Sequence, residues 1–167
     1  MDAAAKKTAL RMIPYGLYIL TAENERGDVA AATVNWVTQA AFEPPLVVVG
    51  VKADSNAHAL IKETGSFALN MLGKGQQSLA FTFFKPAAKE GNTISGEPFE
   101  RGVTGAPLLV RCPAYVESRV VEFLERGDHS VVVGEVVAAG VRQAIEARPD
   151  DAILWLKELG EKVFYGG

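Results

Sequence analysis

The sequence is short of the residue types on which side-chain catalysis usually depends. Its 167 residues include one cysteine, Cys112, and two histidines, His58 and His129. A single cysteine cannot close an internal disulfide, and the chain suits a reducing compartment. Two histidines are too few for a three-histidine metal site. No C-x-x-C, H-E-x-x-H, G-x-S-x-G or G-x-x-x-x-G-K-[ST] occurs anywhere along it. An excess of positive charge is also missing. Seventeen Lys and Arg stand against twenty Asp and Glu, a net charge of −3, which excludes the broad basic surface of a nucleic-acid or anionic-membrane binder. The longest apolar runs, at residues 46–51 and 131–133, fall far short of the ~18 residues of a membrane helix. Residues 1–7 lack the apolar core of a secretory signal, so a cytoplasmic location is expected.

What is present is a packed domain. The chain is 49% hydrophobic and 22% charged, which excludes disorder. Its length suits one domain over residues 1–167 with a full core.

An Ala-rich helical segment is broken by Pro14-Tyr15-Gly16. Residues 17–21 and 29–36 are rich in β-formers and flank the turn cluster Asn24-Glu25-Arg26-Gly27-Asp28, predicting a hairpin. Pro44-Pro45 ends that region. The run at 46–51 reads as a strand buried on both faces. Ser55 is the natural N-cap of a helix in which Ala57, Leu60, Ile61 and Thr64 share a face and Gly65 occupies the C′ position. A third strand, 66–72, leads through Gly73-Lys74-Gly75 into a second helix, where Leu79, Ala80, Phe83 and Phe84 share a face until Lys85-Pro86. The Gly73–Ser78 stretch is a near miss to the dinucleotide fingerprint and reads as a strand-to-helix turn. Residues 86–107, with four glycines and several prolines, are expected to form a long loop. Residues 115–124 and 130–141 predict a second, longer hairpin. In the tail, 153–156 fits either a helix or a strand, and 163–165 is expected to be strand. Strands in groups with helices inserted favour a closed or nearly closed antiparallel barrel over a doubly wound sheet.

Two segments carry chemistry. In Lys52-Ala53-Asp54-Ser55-Asn56-Ala57-His58, a helix N-terminus offers unpaired N–H groups and partial positive charge, with Lys52 and His58 beside it. Such a site takes one phosphate without a glycine-rich loop; the plainer reading is a routine cap with a solvated lysine. In Thr33-Val34-Asn35-Trp36-Val37-Thr38-Gln39, polar groups beside a large aromatic suit a flat, polar-edged heterocycle, or equally an edge strand facing water. Asn70, inside an apolar strand, is a structural hydrogen bonder or a ligand contact. His129 follows Gly127-Asp128 at a hairpin tip. Cys112 reads as a small buried apolar residue.

Taken together, these segments resemble the flavin reductase-like, FMN-binding split-barrel family. The resemblance rests on Tyr15-Gly16-Leu17-Tyr18-Ile19-Leu20-Thr21-Ala22, the 33–39 segment with Phe42-Glu43-Pro44-Pro45, and Ser55-Asn56-Ala57-His58-Ala59-Leu60-Ile61. It continues through Gly65-Ser66-Phe67-Ala68-Leu69-Asn70, Thr104-Gly105-Ala106-Pro107-Leu108, Gly127-Asp128-His129 with Val133-Gly134-Glu135-Val136, and Tyr165-Gly166-Gly167. Their order covers nearly the whole chain. It implies an antiparallel split β-barrel with a few inserted helices, forming a homodimer that holds FMN, sometimes FAD, near the subunit interface. By position, Lys52, Ser55, Asn56, the backbone of Ala57, and His58 would hold the phosphate. Thr33, Val34, Asn35, Trp36 and Thr38 would line the ring and ribityl chain, with Asn70 nearby. Phe84, Lys85 and Tyr165 would close the pocket, and His129 would face the ring or an incoming nicotinamide. Ala57 stands where the family often has Thr, which removes one hydroxyl from the phosphate site.

The resemblance also accounts for the sparse reactive inventory, because a flavin brings its own redox chemistry. The activity it implies is NAD(P)H-dependent reduction of flavin, with electrons passed to free flavin, a monooxygenase or another redox protein. The alternatives are a flavoredoxin-like electron carrier without NAD(P)H turnover and a non-enzymatic flavin-binding protein.

Overall fold

The computed structural model describes residues 1–146 and 148–167. Helix α1 (Ala3–Arg11) starts at Asp2, whose carboxylate accepts the Ala5 N–H, and it buries none of its residues. Strands β1 (Tyr18–Glu23) and β2 (Val29–Val34) form the first hairpin. Strand β3 (Val37–Ala41) then pairs with β4 (Leu46–Lys52). Helix α2 (Asn56–Thr64) runs from Ser55 to Gly65, which takes the left-handed conformation at φ 67° that favours glycine. Strand β5 (Ser66–Met71) and the short helix α3 (Gln77–Thr82) follow. Next come β6 (Lys89–Glu90), β7 (Thr93–Ile94), β8 (Glu97–Arg101) and β9 (Pro107–Leu109). The long hairpin consists of β10 (Ala114–Glu125) and β11 (His129–Val141). A short helix α4 (Pro149–Ala152) and a 3-10 turn (Leu156–Leu159) precede the tail.

One seven-stranded antiparallel sheet, ordered β2-β1-β5-β10-β11-β4-β3, makes the barrel. Its closure follows from connectivity. β2 and β3 lie at opposite edges of the sheet, yet only Asn35 and Trp36 separate them in sequence. The sheet must therefore curl until its edges meet, and the Gly50 N–H donates to the Trp36 carbonyl at 2.8 Å beside that seam. Helix α2 packs against β1, β2, β4 and β5, burying Ala57, Leu60 and Ile61 against Leu20, Val49, Val51 and Phe67. Complete burial of side chains this size contributes roughly 1.5–3 kcal/mol each.

The barrel and both hairpins agree with the sequence reading, and five expectations need correction. Residues 86–107 are not an open loop, because a second sheet, β6-β7-β8-β9, organises them. The buried Glu117 carboxylate accepts the N–H groups of Val103 and Thr104 and so fixes the 102–105 turn. The 29–36 strand stops at Val34, where the chain crosses the seam. β4 is buried on one face only: Val49 and Val51 point inward, while Val48 and Gly50 remain partly exposed. Residues 163–165 form no strand; side chains of Asn35 and His129 hold the tail instead. Phe83 and Phe84 also part company: α3 ends at Thr82, leaving Phe83 buried and Phe84 half exposed. Among the described residues, no helix is long and apolar enough to cross a membrane.

Candidate functional site

The seam gathers the ends of several elements around a cavity of about 340 Å³, within the size range of small-molecule sites. Register explains how the cavity forms. His129, first residue of β11, lies opposite Lys52, last residue of β4, and the Ala53 N–H donates to the Asp128 carbonyl at 2.9 Å. The hairpin tip is thereby tied to the approach of α2. On the other side, the Thr33 N–H donates to the Phe83 carbonyl and its hydroxyl donates to the Ala80 carbonyl at 2.7 Å, which docks α3 onto β2.

One end of the cavity is formed by Lys52, Ser55 and Ala57. The Ser55 hydroxyl accepts the His58 N–H at 3.1 Å and donates to the Lys52 carbonyl at 2.7 Å. The N-cap thus satisfies one of the helix's unpaired donors and leaves those of Asn56 and Ala57 for a ligand. Lys52 pairs with Asp54 at 2.8 Å. That contact holds the lysine ammonium above, and the aspartate below, their ordinary values.

The walls are apolar: Leu17 just before β1, Leu20 from β1, Val51 from β4, Phe83 after α3, and Leu156 and Val163 from the C-terminal segment. Ala32, Thr33, Val34 and Asn35 run along one side. The tail closes the mouth. Asn35 donates its side-chain amide to the Tyr165 carbonyl at 3.0 Å, and the Tyr165 hydroxyl meets His129 Nε2 at 2.7 Å. His129 Nδ1 lies 3.0 Å from the Asp128 carboxylate, which it holds below its ordinary value. Burial pushes the Tyr165 phenol up, against the opposing pull of Lys52. Trp36 packs outside the cavity, its ring 4.5 Å from that of His129 and 5.3 Å from that of Tyr165. A Cβ on Gly50 would sit 3.0 Å from the Trp36 ring, so this strand position favours glycine.

Of the residues singled out in the sequence, the structure brings nine to the cavity: Thr33, Val34, Asn35, Lys52, Ser55, Ala57, Phe84, His129 and Tyr165. Six others lie elsewhere. Trp36 is outside, Thr38 is exposed on β3, and Lys85 is exposed after α3. Asn56 donates its side-chain amide to the Val29 carbonyl. His58 is buried, 2.8 Å from the Ser130 hydroxyl and edge-on to Phe123. Asn70 is fully buried, donating to the Ile19 carbonyl and the Thr21 hydroxyl and accepting the Leu109 N–H. The cavity also uses Leu156, Val163 and Phe164, which sequence reasoning did not find. Phe164 carried a signal as the neighbour of Tyr165, whereas Leu156 and Val163 carried none.

The arrangement offers a cationic, donor-rich end, apolar walls, and a mouth spanned by an imidazole and a phenol. Such a cavity can hold a flat apolar ring system joined to one anionic group.

Comparison with known proteins gives a consistent picture. A model of the flavin reductase like domain matches residues 10–158. The chain is 34% identical over 139 residues to the reductase component of a 4-nitrophenol 4-monooxygenase/4-nitrocatechol 2-monooxygenase from Rhodococcus opacus, covering 83% of this chain and 72% of that protein. It is 30% identical over 144 residues to a flavin reductase (NADH) from Kitasatospora aureofaciens, covering 86% and 73%. The styrene monooxygenase flavin reductase from Pseudomonas putida S12 superposes with a TM-score of 0.70 at 29% identity, covering 81% of this chain and 85% of that one.

Proposed function

The chain belongs to the flavin reductase-like domain family, and from that premise we propose that it reduces a flavin, preferentially FMN, with NAD(P)H and supplies the reduced flavin to a partner enzyme. The observation that carries this reading is the cavity itself, apolar along its length and closed at one end by Lys52 and the first turn of α2.

The residues present fit an FMN. Lys52 and the N–H groups of Asn56 and Ala57 would hold the phosphate, as helix N-termini do. Leu17, Leu20 and Phe83 would pack against the ring, and the backbone of Thr33–Asn35 would meet its polar edge. Ala57 offers no hydroxyl, so the phosphate relies on backbone donors and Lys52. FAD would use the same contacts with its inner phosphate. When bound, the flavin supplies the hydride-accepting centre.

The chain's own part is positioning. The apolar walls exclude water, which strengthens electrostatic contacts inside. His129 stands at the mouth, where a nicotinamide must enter. It keeps one nitrogen on Asp128, leaving Nε2 to hydrogen-bond whatever displaces the Tyr165 hydroxyl. A second copy of the chain would complete the assembly, because Leu124 and Val131, opposite one another in register, are both exposed apolar residues on the long hairpin. The partner class is a monooxygenase, by likeness to relatives that are reductase components.

The test is anaerobic mixing of purified protein, FMN and NADH or NADPH, followed by visible absorbance. Loss of the flavin band with one of the two nucleotides is expected. A band that persists with both, yet bleaches with dithionite or a reductase protein, selects an electron carrier instead.

A further inference from the structure

A second cavity, of about 360 Å³, lies between the end of α1 and the C-terminal segment. It shares Leu156, Val163 and Phe164 with the first. One layer of side chains therefore separates the two, and most of that layer comes from irregular chain following Gly160, whose φ of 135° is a backbone state suited to glycine.

Three features of this cavity point to its ligand. The first is charge: it is lined by Arg11 and Lys157 and, among the described residues, by no carboxylate. The Arg11 Nε donates to the Gly166 carbonyl and its guanidinium lies 4.1 Å over the Phe164 ring, which leaves the outer edge of its fork available. The second is aromatic surface. Tyr15, Trp155 and Phe164 line the cavity, and its floor is fixed by the Gly16–Trp155 bridge and the Leu156 N–H to Tyr15 carbonyl bond of 2.9 Å. The third is uncovered apolar surface, with Met12, Ile13 and Phe164 all exposed at the rim. Paired cations beside aromatic faces suit a base joined to a pyrophosphate.

With a flavin mononucleotide in the first cavity, the adenosine diphosphate half of NAD(P)H must lie outside it. We propose that the cavity between α1 and the C-terminal segment takes the adenosine diphosphate group of a dinucleotide, with Arg11 and Lys157 facing the pyrophosphate and Trp155 facing the adenine. This rests on the first cavity being the flavin site. The group is that of NAD(P)H, because the pyrophosphate of an FAD would begin at the phosphate held by Lys52 and the first turn of α2.

The probe is ADP-ribose, which has the adenosine diphosphate group but no ring to react. It is expected to bind the FMN-loaded protein and to inhibit competitively against NADH. Reduced nicotinamide mononucleotide (NMNH), which lacks the group, separates the two halves of the substrate. Reversing the exposed charge with Lys157→Glu is expected to weaken ADP-ribose by about tenfold or more, and to raise the KM for NADH about tenfold more than that for NMNH. A variant that leaves the KM for NADH unchanged would overturn the proposal. ADP-ribose that fails to bind, that displaces FMN, or that binds wild type and variant alike would overturn the proposal. A protein that binds ADP-ribose but oxidises neither NADH nor NMNH would contradict the reductase reading while leaving this site standing.

Discussion

His129 Nε2 lies 2.7 Å from the hydroxyl oxygen of Tyr165, joining the tip of the long hairpin to a tail 36 residues further along the chain. A carboxylate only accepts hydrogen bonds, so Nδ1 carries the proton toward Asp128, and in the neutral imidazole Nε2 accepts from the phenol. The contact spans the mouth of the cavity, and with the Asn35 to Tyr165 carbonyl bond it holds the tail across the opening.

Removing the phenol oxygen should loosen that closure. Tyr165→Phe loses one hydrogen bond of about 0.5–1.5 kcal/mol, so flavin should leave roughly two- to tenfold faster. Stopped-flow displacement of FMN measures the rate. An unchanged rate would show that the tail does not restrain the ligand.

Asp54 competes with a phosphate for Lys52 across a 2.8 Å ion pair. Asp54→Asn should free the lysine and tighten FMN roughly two- to fivefold at low salt, with the gain shrinking as salt screens it. Fluorescence titration at two ionic strengths reads both effects, and weaker FMN binding by the variant would count against the anion site.

Glu23 fastens the small sheet to the barrel. Its carboxylate, 4% exposed, pairs with Lys89 of β6 and with Arg101 of β8 at 2.7 Å. Burial pushes its pKa up, but the hydrogen bonds and charges of Arg101 and Lys89 outweigh this and leave it below 4.5. A lowered folded pKa adds stability above the unfolded value, and that stability is lost as pH falls through the folded one. Glu23→Gln should therefore cost about 1–3 kcal/mol near neutral pH, a melting point lower by roughly 3–10 °C. The gap should close on acidification below pH 4.5. A gap independent of pH would mean that the charge is not what holds the two sheets together.

Cys112 is buried, and desolvation pushes its thiol up to about 12. Since the thiolate is the reactive form, the native protein should be inert to a thiol reagent at neutral pH and should react once upon denaturation. Prompt labelling of the folded protein would contradict its burial.

Local chemistry was legible in the sequence, and distant packing was not. Ser55 and Gly65 bracket α2 because caps act within a few residues, and the long hairpin shows because both strands are long and β-rich. The anion site proposed at Lys52–Ala57 follows from the same cap. His58 was expected beside it, but it lies one residue past Ala57, about 100° further round the helix, and faces Ser130 instead. Asn70 left two roles open, and its three internal hydrogen bonds belong to the core. The small sheet stayed hidden because strands of two to five residues carry no usable alternation. Tyr165 was reached only through the family resemblance, and the path of the tail stayed hidden because its place depends on His129, Asn35 and Arg11, none of them near it in sequence.

The central claim is that the cavity beneath the first turn of α2 is the flavin site, with the phosphate on Lys52 and the helix N-terminus. Parallel titration of FMN and riboflavin, which differ only by that phosphate, into wild type and Lys52→Ala tests it most directly. The expected result is FMN binding about tenfold or more tighter than riboflavin to wild type, with most of that difference lost in the variant and riboflavin scarcely changed. Equal affinity for the two flavins in wild type, or an equal loss of both in the variant, would contradict it.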